Sequence, residues 1–244
     1  ILKNLPKKHQ TLVFSATMPA EIRRLAGDIL RDPATVQVGI TAPAETVSHA
    51  LYPVAQHLKT ALLLKLLGNT HTKSVLVFTR TKHRAKSLGK KLSAAGYRSA
   101  SLQGNLSQAR RQAALDGFRD GKFQILVATD IAARGIDVTQ ISHVINYDIP
   151  STPEAYIHRI GRTGRATRSG EAFTLVTEED KIMVRAINRI IGSNVEQRIL
   201  STFDYGSPVP DREGRSRWKN KPRPKFIGLK KQQLKKKSHS RFFN

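Results

Sequence analysis

Short apolar runs alternate with segments of helical periodicity over most of the chain, and this alternation restricts the fold more than any other feature. The runs predicted to form strands are 74–79, 124–129, 143–147 and 172–176, and 99–102 is also predicted to be extended. Helical patterns are found between and after them, one ending at Gly96 and others covering 107–120, 153–160 and 178–191. Apolar strands separated by helices are typical of parallel sheets. We therefore predict an α/β fold in which helices cover both faces of a parallel sheet.

The beginning of the chain has a separate, shorter pattern. Residues 10–17 predict a buried strand, and Pro19 begins a predicted helix. A brief strand is predicted over 35–38. Residues 41–48 lack periodicity and contain a proline among small residues, which predicts a linker. Because the first residue is Ile1 rather than Met, we expect the chain to be a piece of a longer protein.

The chain is strongly basic. It holds 42 Lys and Arg against 18 Asp and Glu, a net charge of +24, which predicts a polyanionic partner. Residues 205–244 contribute 13 basic and 2 acidic side chains and show no apolar periodicity. We interpret 204–244 as a disordered basic tail. The rest of the chain is also basic, so the tail alone does not account for the charge.

Cysteine and hydropathy exclude several classes of protein. The absence of cysteine excludes disulfides and thiolate metal sites and fits a reducing compartment. No apolar run approaches the roughly 18 residues that a membrane span requires, and the start does not resemble a signal peptide. We therefore expect a cytoplasmic location, no membrane contact and no metal ligands within this chain.

Three arginines and two glycines lie close together in 156–165, which reads YIHRIGRTGR. Glycines allow a backbone to approach a ligand closely, and guanidinium groups bind phosphate oxygens in pairs. The segment therefore predicts a phosphate site containing Arg159, Arg162 and Arg165. Taken by itself, it is equally compatible with a basic surface loop.

A second motif, TDIAARGID at 129–137, directly follows a predicted strand. Ligands bind at the carboxyl ends of strands in open α/β sheets. An ordinary strand-to-helix turn with an acidic cap explains Asp130 but not Arg134, Gly135 or Asp137. The motif therefore predicts a ligand site at this edge of the sheet.

Five segments together match one family in order and spacing. They are SAT at 15–17, VFTRT at 77–81, QGNLSQARR at 103–111, TDIAARGID at 129–137 and HRIGRTGR at 158–165. On these motifs the chain resembles the C-terminal half of a DEAD-box ATP-dependent RNA helicase, most closely the bacterial RhlE-type group, from residue 10 to about 200.

The resemblance implies a domain organisation. Residues 1–40 are expected to be the last part of a first RecA-like, ATP-binding domain, and 41–48 a linker. Residues 49–203 are expected to form the second RecA-like domain, and 204–244 the basic tail. A tail of this composition suits RNA tethering through phosphates, with a solvated terminus that has no specific partner as the alternative.

The resemblance also implies roles for individual residues. Arg162 and Arg165 are expected to act as arginine fingers on ATP, with Gly135 and Asp137 lining the nucleotide. His158 is expected to couple the two domains through Ser15 and Thr17 of the SAT segment. The residues expected to hold the RNA backbone are Arg80, Gly104, Gln108, Arg111 and Thr129. Gln103 and Asn105 depart from the His and Asp found in many members, which weakens the expectation for Gly104.

The machinery that cradles ATP phosphates is absent from the sequence. Neither a G-x-x-x-x-G-K-[ST] loop nor an Asp-Glu-Ala-Asp stretch occurs. The family places both in the first domain, which also holds Mg²⁺, so this piece by itself is expected to be inactive. The expected partners are RNA, that first domain and either ribosomal or RNA-decay ribonucleoproteins. A noncatalytic basic RNA-binding module and a DNA helicase of the same superfamily are the alternatives.

Overall fold

The computed structural model describes residues 5–6, 8–15, 18, 20–36, 47–70, 73–133, 141–164 and 170–206. The strands are β1 (Val47–Pro53), β2 (Val75–Phe78), β3 (Ser99–Leu102), β4 (Ile125–Ala128), β5 (His143–Asn146), β6 (Gly170–Val176) and β7 (Glu196–Gln197). The helices are α1 (Ala20–Ile29), α2 (Lys59–Asn69), α3 (Lys82–Ala94), α4 (Gln108–Arg119), α5 (Asp130–Ala133), α6 (Pro153–Ile160) and α7 (Lys181–Ile191). A 3₁₀ turn, Glu178–Asp180, precedes α7. All of these elements belong to one unit, Ile1–Ser207, and the second unit, Pro208–Asn244, lies outside the described residues.

The seven strands form one sheet in the order β3-β4-β2-β5-β6-β1-β7, and every pairing is parallel. The register aligns the carboxyl ends of four adjacent strands, because Leu102 pairs with Ala128, Ala128 with Phe78, and Phe78 with Asn146. The predicted parallel α/β sheet is confirmed. The loops that leave these four strands therefore begin side by side.

Alternate residues of each central strand face opposite sides of the sheet. Leu76 and Phe78 pack in one apolar cluster with α4, α6 and α7. Val75 and Val77 pack in another with α2 and α3. All four side chains are buried, as the two-residue period of a strand requires when both faces are covered.

Hydroxyl side chains begin the helices that leave this edge. Thr81 accepts a hydrogen bond from the Arg84 N–H at 3.2 Å, before α3. Thr152 accepts one from Ala155 at 3.2 Å, before α6. Such caps satisfy N–H groups that the first helical turn leaves without a partner. They hold the start of each helix next to the strand that precedes it.

Most element bounds agree with the sequence prediction. The strand at 99–102 and the helix at 153–160 form as predicted. The predicted 178–191 helix divides into the 3₁₀ turn and α7. The pair Thr177 and Asp180 caps its start, since the Thr177 N–H donates to Asp180 Oδ2 at 2.8 Å. No described helix is both long and apolar enough to cross a bilayer.

The strand predicted over 10–17 is wrong for the residues that the structure describes. Residues 10–15 are coil, and the Phe14 side chain is 89% exposed. Residues 35 and 36 are also coil, whereas the predicted helix forms as α1. An apolar run predicts burial but does not identify a neighbouring strand, and backbone groups in a strand require one. Among the described residues, none pairs with this segment.

The predicted domain limits are not tested by the structure. The first strand of the sheet begins at Val47, inside the segment predicted as a linker, and residues 41–46 lie outside the described part. At the other end, the rings of Phe203 and Tyr205 stack edge to face with centroids 4.9 Å apart, and both pack on the α2 and α3 side. The tail from residue 207 lies outside the described residues.

Candidate functional site

The loops at the aligned strand ends carry most of the predicted site residues. Arg80 follows β2, Gly104 follows β3 and Thr129 follows β4, and these strands are adjacent in the sheet. Arg80 and Gly104 are exposed, and Thr129 is partly buried. The structure therefore brings three residues predicted to hold RNA to one edge, and the exposed Gln108 begins α4 just beyond Gly104.

Asp130 and Arg159 form a two-pronged ion pair that joins the start of α5 to α6. Arg159 donates from Nε to Asp130 Oδ1 at 2.6 Å and from Nη2 to Oδ2 at 2.7 Å. Its Nη1 donates to Asn146 Oδ1 at 3.1 Å, and its guanidinium lies 4.9 Å from the centre of the Phe78 ring. The Arg159 side chain is 3% exposed, whereas that of Asp130 is 44% exposed. The prediction that Arg159 binds phosphate is wrong, because protein groups occupy its guanidinium.

Asp148 connects this pair to the loop after β2. Its buried carboxylate accepts a hydrogen bond from the Arg80 N–H at 2.9 Å and another from the Arg84 guanidinium. Its backbone carbonyl accepts one from Arg159 Nη1 at 2.8 Å. One residue thus holds both the start of α3 and the last turn of α6. The sequence prediction did not include Asp148, although it follows an apolar strand at the carboxyl edge.

A buried lysine lies beside Asp148. Lys59 is 2% exposed, and its Nζ donates to the Tyr147 carbonyl at 3.2 Å and lies 3.9 Å from Asp180 Oδ2. Burial lowers the pKa of Lys59, and the carboxylates of Asp148 and Asp180 oppose that shift. The ammonium therefore links the loop after β5 to the turn before α7.

The loop after β3 is held by its own side chains. Gln103 Oε1 accepts a hydrogen bond from the Asn105 N–H at 2.9 Å, and Lys82 Nζ donates to Asn105 Oδ1 at 3.1 Å. At Gly104, between them, an added Cβ would meet no atom within 4 Å, and the φ angle does not require glycine. Nothing in the described fold therefore accounts for a glycine at this position.

Arg111 has a structural contact in addition to its predicted role. Its Nη2 donates to the Ala132 carbonyl at 2.7 Å, which ties α4 to the end of α5. The side chain is partly buried. Arg111 therefore helps to position the segment that follows Thr129.

We call segment 156–165, which contains three arginines, the arginine motif. Its second half extends from α6 into a loop. His158 is exposed on α6, and Arg162 is partly buried in the loop that follows. Thr163 Oγ1 anchors that loop by donating to the Ile141 carbonyl at 2.6 Å. Gly164 has a φ of 68°, which favours glycine. The loop thus leaves α6 along a path that Thr163 and Gly164 define.

Several predicted site residues cannot be placed by the structure. Ser15 is exposed in the coil before α1, outside the seven-stranded sheet. Thr17, Gly135, Asp137 and Arg165 lie outside the described residues. In the part of the chain that is described, His, Asp and Glu do not form a group of three or more suited to a metal ion.

Gly170, the first residue of β6, packs closely against the loop that follows α6. A Cβ at this position would lie 2.3 Å from Thr163 Oγ1 and 2.4 Å from the Gly164 nitrogen. We expect Gly170→Ala to lower the free energy of unfolding by about 1 to 3 kcal/mol, because the loop has to move away. Chemical denaturation measures this change. Gly68→Ala is the control, since its Cβ would be no closer than 3.9 Å to any atom. Equal denaturation midpoints for the two variants would contradict the prediction.

Residues 58–167 match the family model for the helicase conserved C-terminal domain. The DEAD-box ATP-dependent RNA helicase CshA of Bacillus subtilis (strain 168) is 42% identical over 207 residues, covering 84% of this chain and 42% of that protein. The ATP-dependent RNA helicase DeaD of Buchnera aphidicola subsp. Baizongia pistaciae is 37% identical over 205 residues, covering 84% and 34%.

Solved structures of DEAD-box proteins share the fold. The Escherichia coli DEAD-box protein SrmB, crystallised with regulator of ribonuclease activity A, is 35% identical with a TM-score of 0.62 and covers 67% of this chain and 96% of that chain. Saccharomyces cerevisiae Dbp5 bound to RNA and ADP BeF3 is 32% identical with a TM-score of 0.73, covering 82% and 53%.

The sheet and the flanking helices are those of a RecA-like helicase C-terminal domain. The chain belongs to the DEAD-box RNA helicase family. It spans less than half the length of the two curated relatives, 42% and 34%. The finer assignment to the RhlE-type group stays a prediction.

Proposed function

We propose that this chain is the C-terminal half of an ATP-dependent RNA helicase that couples ATP hydrolysis to local separation of RNA duplexes or to remodelling of RNA–protein complexes. The observation that carries the proposal is the Asp148–Arg159–Asp130 network. It connects the loop after β2, which is on the predicted RNA side, to α6, which presents His158 and leads to Arg162. A movement of the loop after β2 can therefore be transmitted through this network to segment 156–165.

On the RNA side, the strand-end loops hold the phosphate backbone. Exposed Arg80, Gly104 and Gln108 support this role, as does the open space at the Gly104 Cβ position. Thr129 and Arg111 complete the surface from β4 and α4. Contacts of this kind recognise the shape of the backbone and carry little base information.

On the nucleotide side, Arg162 and Arg165 bind ATP phosphates, and Gly135 and Asp137 line the nucleotide. A guanidinium flanked by Gly161 and Gly164 fits an anionic phosphate group. During hydrolysis, water attacks the γ-phosphorus, the bond to the β–γ bridging oxygen breaks, and the arginines stabilise the charge that develops. His158 couples this step to a preceding domain, which supplies the phosphate loop and the ligands of Mg²⁺. This chain by itself hydrolyses no ATP.

The RNA surface is tested with Gly104→Leu. We expect the affinity of the chain for single-stranded RNA to fall about tenfold, because the new side chain prevents a close phosphate contact worth about one charged hydrogen bond. Thermal stability should be unchanged, since the site has open space. Fluorescence anisotropy with labelled RNA and thermal unfolding measure the two quantities.

The matched control for this test is Gly27→Leu in α1, where an added Cβ also meets no atom within 4 Å. This control should bind RNA like the original chain. If Gly104→Leu also retains full affinity, the loop after β3 does not contact RNA and the RNA surface of the proposal is wrong.

A further inference from the structure

Helix α3 carries an unbalanced charge. Its sequence, KHRAKSLGKKLSA, contains five Lys or Arg residues and no acidic residue. Cations in a first turn oppose the helix dipole, and like charges four positions apart repel each other. Both effects destabilise the helix, and the contacts of the described residues offset only part of this cost.

The basic side chains of α3 divide between two flanks. The buried residues of the helix are Ala85, Leu88, Gly89 and Leu92. Arg84 lies on one flank and binds the carboxylate of Asp148. Lys82, Lys86 and Lys90 are spaced by four, so they share the other flank, and all three are exposed. We call these three residues the lysine stripe.

No carboxylate of the described residues forms a salt bridge with the lysine stripe. Lys82 donates to the amide oxygen of Asn105 at 3.1 Å. Within the described ranges, neither Lys86 nor Lys90 forms a salt bridge. Ion pairs among the described residues therefore do not account for the repeated lysines on this flank.

The stripe starts at the predicted RNA loops and follows the edge of the sheet. Lys82 is two residues beyond Arg80, and its bond to Asn105 places it beside Gly104. Farther along the same flank, Ser93 Oγ lies 2.9 Å from Ser99 Oγ at the beginning of β3, which is an edge strand. From Lys82 to Lys90 the stripe is about 12 Å long, at the rise per residue of an α-helix.

We propose that the lysine stripe is a second RNA contact, along which a single strand continues from the Gly104 loop with its phosphates on Lys82, Lys86 and Lys90. This inference rests on the proposed function and extends its RNA surface. Three exposed cations in a row complement the regular charges of an RNA backbone. The competing explanation is that the lysines prevent β3 from pairing with another molecule.

The test is Lys86→Gln combined with Lys90→Gln in the 244-residue chain. Lys82 is kept because it holds Asn105. For a single strand of about 16 nucleotides, the slope of log affinity against log salt should fall by about 1.4, at about 0.7 per lost phosphate contact. The affinity advantage of the original chain should then shrink about sevenfold between about 50 and about 200 mM salt. An RNA of about 4 nucleotides, which ends within the loops, should bind both proteins alike.

The control changes the same charge elsewhere. Lys65→Gln with Lys91→Gln removes two exposed lysines, one on α2 and one on the opposite flank of α3. Its salt slope with the longer RNA should remain that of the original chain. If both pairs reduce the slope equally, or if neither does, the stripe is not an RNA contact.

Two further measurements separate the possible failures. Gly104→Leu with the longer RNA reports on the loops alone: if it loses affinity while the stripe variant does not, the inference is wrong and the proposed function stands. If neither loses affinity, the proposed RNA surface fails as well. Self-association of the stripe variant without a change in RNA binding would show that the lysines protect the edge strand, which also overturns the inference.

Discussion

Replacing Arg162 with alanine in the complete protein is expected to lower RNA-stimulated ATP hydrolysis by about a thousandfold or more, while RNA affinity stays nearly unchanged. An arginine finger acts on charge that develops in the transition state, so its loss lowers turnover rather than ground-state binding. Phosphate release with saturating RNA measures turnover, and anisotropy measures affinity. Arg165→Ala should behave in the same way.

The control for Arg162→Ala is Arg189→Ala, which removes an exposed arginine from α7. Its turnover and RNA affinity should match those of the unaltered protein. The finger assignment is wrong if Arg162→Ala keeps its turnover within about threefold, or if RNA affinity falls in parallel with the rate. In the second case Arg162 is an RNA-contacting or structural residue.

The sheet could be predicted because its apolar segments can form few structures other than buried strands. Apolar runs of five or six residues between helical segments are too short for helices and too apolar for an exposed strand. The capping pair Thr177 and Asp180 was also readable, since it depends on residues three positions apart. The spacing of apolar residues and local capping chemistry therefore account for most of the predicted strands and helices.

The segment at 10–15 could not be predicted in the same way. Its apolar pattern is that of a strand, yet strand formation depends on a neighbour that the pattern does not identify. The exposed Phe14 shows that the described residues do not provide the burial that the pattern implies. A short apolar run indicates that a segment would be buried, not whether its partner strand is present.

Arg159 shows a different difficulty at the site. A guanidinium binds a carboxylate and a phosphate through the same pair of N–H groups, so the residue type alone does not distinguish them. Helical spacing contains the missing signal: Arg159 shares the buried face of α6 with Tyr156 and Ile160. A buried charge requires a partner within the protein. His158, on the exposed face, is not under that constraint.

The Arg159 network leads to a large expected effect on stability. We expect Arg159→Ala to lower the free energy of unfolding by about 3 kcal/mol, near the lower end for a broken buried pair because Asp130 can be rehydrated. Asn146 and the Asp148 carbonyl are buried and would lose a donor, which adds to the cost. Urea denaturation at constant m-value measures the change. Arg159→Lys should recover only part of the loss, since an ammonium does not form the two-pronged bond.

Arg198→Ala is the matched control, because its bond to Glu196 is also 2.6 Å but the two side chains are 37% and 59% exposed. Water screens an exposed pair of this kind, so its loss should lower the free energy of unfolding far less than the loss of the Asp130 pair. Equal losses for Arg159→Ala and Arg198→Ala would mean that burial gives the Asp130 pair no special importance. A loss confined to Arg159→Ala, partly relieved when Asp130→Ala is added, would instead assign the stability to the pair itself. In that case the same contact that holds α6 against the strand ends also fixes the position from which Arg162 leaves the helix.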